Sequence, residues 1–101
     1  MSKFAFHATP SENCVEIEQE GLKGHGAGTF DGSVVWPPTV HLMEDPRAAK
    51  EFVQDLYETE DVTVYRVDLT DLAVTLGWDG PGTLAYVGNI DPRRLRRCPD
   101  L

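Results

Sequence analysis

The segment that most limits how this chain can fold is Asp45-Pro46 followed by Ala49, Phe52, Val53 and Leu56. Asp45 is a good helix N-cap, and Pro46 suits the first helical position, where its missing N–H costs nothing. The four apolar residues fall at i, i+3, i+4 and i+7, so they form one stripe along a helix. A helix with a single apolar stripe must bury it against another element. Its neighbours in sequence both read as strands: Thr39 to Leu42 before it, and Val62 to Leu69 after it. The second run alternates and is rich in β-branched and aromatic residues, as an inner strand should be.

The remaining elements follow from local signals. Lys3 to His7 reads as a first strand. Thr9, Pro10 and Glu12 then read as N-cap, first-turn proline and capping-box partner of a first helix. Cys14, Val15 and Ile17 supply its buried side, and Gly21 its αL cap, with Leu22 as the apolar contact that commonly follows. Lys23 to Ser33 holds four glycines in nine residues and reads as a loop, either a lid over a ligand or an ordinary surface connection. It lacks the lysine-serine ending of a phosphate-binding loop. Val34 to Trp36 is a short strand, and Pro37-Pro38 forces extended chain after it. Asp68 to Leu72 leaves the inner strand through a short turn. Asp79-Gly80-Pro81-Gly82 is a turn, Thr83 to Val87 a strand, and Ile90 to Leu95 a strand end or short turn with Ile90 and Leu95 inward. Few helices and late strands indicate a single α+β domain over residues 1–101, not a doubly wound sheet.

Charge narrows the partners. The chain carries a formal net charge of −8, and its basic residues gather at the end in Arg93, Arg94, Arg96 and Arg97. An acidic surface repels phosphate backbones, so non-specific nucleic-acid binding is disfavoured. The arginine cluster reads as a solvated tail paired with the acidic body, or alternatively as a phosphate contact. Cys14 and Cys98 stand far apart in no metal or redox spacing. With no signal peptide and no apolar run near the ~20 residues of a membrane helix, the expectation is a cytoplasmic protein with free thiols.

The chemistry-bearing residues are His7 and His41, each on a strand-like run just before a helix. Two imidazoles from distant strands can act as acid and base, bind a metal or hold a nucleotide. His7-Ala8-Thr9 fits half of a two-histidine phosphoesterase pattern, but His41-Leu42-Met43 does not complete it, because methionine cannot donate to phosphate. A metal set from His7, His25 and His41 lacks helical spacing and a completing ligand. Taken singly, each histidine is as readily a satisfied structural residue.

Their order among the other motifs adds a resemblance. The chain has His7-Ala8-Thr9 on the first strand, Glu20-Gly21-Leu22 at the end of the first helix, and Val40-His41-Leu42 on the strand after the loop. Ala48-Ala49 opens the second helix, Val67-Asp68-Leu69 ends the inner strand, and Ile90-Asp91-Pro92-Arg93-Arg94-Leu95 closes the chain. In this order it resembles the ADP-ribosyltransferase superfamily, most of all small bacterial relatives of the NAD-dependent RNA 2′-phosphotransferases. The resemblance implies a small split sheet, mixed or antiparallel, with two main helices and with NAD in its cleft. It implies that His7 binds a ribose, that Ala8 offers its backbone to the nicotinamide amide, and that Thr9 forms pocket wall. His41 would sit on the nicotinamide side. Apart from the resemblance, Tyr86, Trp36, Trp78 and Phe30 are the aromatics able to stack on adenine or nicotinamide, the alternative being that they pack the core or cover a sheet edge. Ala8 stands where the family has glycine. Members of the His-Tyr-Glu type also carry a carboxylate near the start of a late strand. Thr83 to Tyr86 supply none, and Asp79 is the nearest acid.

Two functions follow as expectations. One is an NAD-dependent transferase that passes ADP-ribose to a protein or nucleic-acid acceptor, with His41 and Asp79 in catalytic positions. The other is a catalytically silent module on the same fold, holding a nucleotide or blocking a partner protein with its acidic surface.

Overall fold

The computed structural model describes residues 4–24, 28–30, 33–36, 38–76, 81–99 and 101. The helix that Asp45-Pro46 predicts forms as α2, Pro46–Tyr57, between two strands. The Asp45 carboxylate accepts the Arg47 backbone N–H at 2.9 Å, satisfying one of the donors a helix start leaves over. α2 stops at Glu58, which adopts a left-handed conformation (φ 51). Its apolar stripe divides: Ala49 and Val53 are buried, whereas Phe52 and Leu56 are exposed.

The strands are β1 (Phe4–Pro10), β2 (Gly28–Phe30), β3 (Ser33–Trp36), β4 (Thr39–Met43), β5 (Val62–Asp68), β6 (Thr75–Leu76), β7 (Thr83–Val87) and β8 (Leu95–Arg97). The first helix, α1, spans Cys14–Glu20. Six strands make one sheet in the order β6-β7-β4-β1-β5-β8, with every pairing antiparallel. β2 and β3 pair separately as a small ribbon. The architecture is α+β, as the order of elements predicts. Among the described residues no helix is long and apolar enough to cross a membrane.

Several local expectations are corrected. β1 does not stop at His7 but continues through Pro10, because β5 offers a matching ladder down to Pro10↔Val62. Thr9 is therefore a buried strand residue and not a helix cap; its hydroxyl accepts a hydrogen bond from the Asn13 side chain at 3.2 Å. A 3₁₀ turn, Ser11–Asn13, precedes α1, which starts later than the capping pattern predicts. The glycine-rich stretch contributes a strand, β2, where a loop is expected. Gly21 has φ 82 and ψ −173, an extended mirror-image conformation and not the αL cap. The last segment resolves into a 3₁₀ turn, Pro92–Arg94, followed by β8.

Strand alternation sorts the side chains onto two faces. Ala5, Val40, Leu42 and Val67 point to the α1 side, where they join Leu22, Leu69 and Ile90 in one apolar cluster. Ala8 and Val64 point to the α2 side and meet Ala49 and Val53 in a second cluster. Neighbouring β1 and β4 are joined far less than the other inner strands. β1 pairs with β5 over seven residues, and β4 with β7 over five, but β1 and β4 share only Phe6↔Met43. Beyond that pair the sheet parts.

Candidate functional site

The parting of β1 from β4 opens a cleft of about 520 Å³ that runs from the α1 side of the sheet to the α2 side. Its size suits a ligand of cofactor dimensions. The α1-side wall carries His7, Thr9, Asn13 and Glu16, and the α2-side wall carries Ala49, Phe52, Val53 and Leu56.

His7 lies in the middle of β1, half-buried, with Tyr65 as its cross-strand partner on β5. Its Nδ1 is 3.2 Å from the main-chain oxygen of His41. A carbonyl can only accept, so Nδ1 carries the hydrogen and, in the neutral ring, Nε2 is the acceptor. This contact spans the mouth of the cleft and fixes the His7 ring against β4. His41 is exposed on β4. Alternation sends its ring to the α2 side, along with Met43, while the His7 ring leaves β1 on the α1 side with Ala5. The two residues thus flank one opening from its two faces, and they meet through the His7 ring and the His41 backbone.

Ala8 and Thr9 also line the cleft. The Ala8 methyl is buried in the α2-side cluster. Tyr86 does not reach the cleft; it packs against the α1-side core from β7. Asp79 and His25 lie outside the described residues. No acid stands on β7 (Thr-Leu-Ala-Tyr-Val). Glu16 is the one carboxylate among the described residues lining the cleft. Sequence reasoning did not single out Glu16 or Asn13. Their three-residue spacing, which brings two side chains to one side of a helical turn, was the available signal.

Behind the His7 wall, α1 is tied to the sheet by a polar cluster. The Tyr65 hydroxyl donates to Glu18 at 2.7 Å, and Arg97 Nε donates to the same carboxylate oxygen at 2.7 Å. Tyr65 is fully buried, and burial, with hydrogen bonds involving Cys14 and Glu18, pushes its hydroxyl far above the ordinary tyrosine range. The Tyr65 hydrogen bond, with the Arg97 guanidinium beside it, holds the Glu18 carboxyl below the usual carboxylate range. The Glu18–Arg97 pair is solvent-exposed, so as an isolated ion pair it contributes little; its role is to fix where α1 sits.

No protein-family model matches this chain, and no curated protein matches it.

Proposed function

We propose that the cleft between β1 and β4 binds NAD and that the protein is an ADP-ribosyltransferase-like transferase. The observation that carries this reading is the His7–His41 contact at the parting of the sheet, which sets an imidazole at the edge of a cleft of cofactor size. The His7 ring, held through Nδ1 against β4, would contact a ribose hydroxyl. Backbone of Ala8 on one lip and of His41 on the other would bracket the nicotinamide. In the transfer, the bond between nicotinamide nitrogen and ribose C1′ breaks, nicotinamide leaves with the bonding electrons, and an acceptor nucleophile attacks C1′. Positive charge develops on the ribose as the bond breaks, and Glu16 is the cleft carboxylate able to offset it.

A second reading, a silent nucleotide-binding module, is favoured by the absence of any acid on β7. One experiment tests binding and separates the two readings. NAD and ADP-ribose are titrated into the protein and into His7→Ala by calorimetry, and nicotinamide release is followed by chromatography. Binding with release supports the transferase, and binding without release supports the silent module. No heat from either ligand, or unchanged binding by His7→Ala, overturns both.

A further inference from the structure

We infer that the cleft-side rim of α2 is a docking surface for a cationic protein segment carrying an apolar anchor. Phe52, Leu56 and Tyr57 are 55%, 60% and 58% exposed, although all three border the cleft. An isolated exposed apolar residue needs no explanation, but three on one helix beside an open cleft form a patch. Lys23 stands across the cleft, and Arg47 and Lys50 lie earlier in α2, but the second half of α2 and the turn after it carry charge of one sign. From Glu51 to Asp61 the chain has five carboxylates and no lysine or arginine. Glu51 and Asp55 flank Phe52 and Leu56 along the helix, and Glu58 follows Tyr57 at its end.

That arrangement does not serve the helix. A helix C-terminus carries partial negative charge, which favours lysine or arginine in the last turn. The last turn of α2 has no basic residue and instead runs into acids. Acidic side chains around exposed aromatic and aliphatic groups fit a partner whose own surface is basic, with an apolar side chain seated between Phe52 and Leu56. The same field repels a nucleic-acid backbone. Because the patch adjoins the cleft, a segment docked there would lie against the proposed NAD site. As an acceptor for transfer it rests on that reading, but the docking itself does not, and it is measured without nucleotide.

The probe is a short synthetic peptide alternating lysine with leucine and tryptophan, titrated by fluorescence anisotropy. Its controls are the glutamate-for-lysine peptide, oligolysine and a single-stranded RNA oligomer. The lysine-leucine-tryptophan peptide is expected to bind tightest. Phe52→Ser with Leu56→Ser should weaken it about tenfold, the effect of losing one buried apolar anchor. Glu51→Lys with Asp55→Lys should weaken it comparably and flatten its salt dependence. All four positions are exposed, so circular dichroism and melting should match the parent. Any of four results overturns the inference: no peptide binding, equal binding of oligolysine, preferred binding of RNA, or a self-associated protein that the Phe52 and Leu56 changes turn monomeric. Failure here with NAD binding intact leaves the proposed cleft reading standing, and the reverse result leaves this surface standing.

Discussion

Gly21→Ala tests the joint that closes the α1 side of the cleft. A Cβ at Gly21 would lie 2.0 Å from the Ile90 carbonyl oxygen, where ordinary contact begins at 3.4 Å. The Ile90 carbonyl cannot retreat freely. It accepts from the Leu22 N–H at 2.9 Å, and the Ile90 N–H donates back to Leu22 at 2.8 Å. Leu22 and Ile90 are both buried in the α1-side core. The substitution therefore forces two costs. Placing a side chain at φ 82, ψ −173 costs about 1–3 kcal/mol. Losing the reciprocal pair costs about 1 kcal/mol for each hydrogen bond. The expected loss is about 3–5 kcal/mol, a large share of the roughly 5–15 kcal/mol that holds a domain folded. Gly82→Ala is the internal control. It has φ +81 but nothing within 4 Å of the added methyl, so it should cost only the backbone share, about 1–2 kcal/mol. Urea unfolding followed by tryptophan fluorescence measures both. If the two variants lose the same stability, the close approach of Ile90 contributes nothing and the argument for Gly21 fails.

Two further outcomes follow from named contacts. The Glu18 carboxyl is held below its ordinary range in the folded protein, so it adds stability above the unfolded value of ~4.3 and loses it as pH falls through the folded value. Glu18→Gln should accordingly melt lower than the parent near neutrality, with the gap closing below about pH 4; a gap that persists in acid refutes the linkage. Asp45→Ala should cost about 1 kcal/mol through loss of the α2 cap, read as a shift in the urea midpoint, and Asp45→Ser should restore most of it.

How much of this was legible in the sequence depended on whether the deciding interactions were local. α2 was readable because its start is written in two adjacent residues, Asp45 and Pro46, and its buried contacts, Ala49 and Val53, share one helical face. Thr83 to Val87 was readable because Gly82 precedes it and its apolar residues are continuous. The start of α1 was misread because Thr9-Pro10-Ser11-Glu12 carries every local mark of a capping box. Seven cross-strand pairs with β5 override that preference, and they lie more than fifty positions away in the chain. β6 has only Thr75 and Leu76, too few residues for periodicity to register. The candidate site was legible in its ingredients and not in its geometry. His7, Ala8, Thr9 and His41 do border one cleft, but the cleft exists because β1 and β4 separate after a single pair, and no local pattern encodes where two strands stop pairing. Tyr86 is not among the residues that line the cleft, because alternation along β7 turns it toward the α1-side core.

The position of β1 has a consequence for how the protein is made. β1 precedes the other described strands in the chain yet becomes an inner strand of the finished sheet, and its longest ladder runs to β5, whose pairing with Phe4 is completed only at Asp68. A nascent chain that has not reached Asp68 holds β1 without its full ladder on one edge, so synthesis must pass β5 before a stable nucleus can form. An early stop codon or a proteolytic cut ahead of β5 then yields no folded fragment, only a strand awaiting its mate.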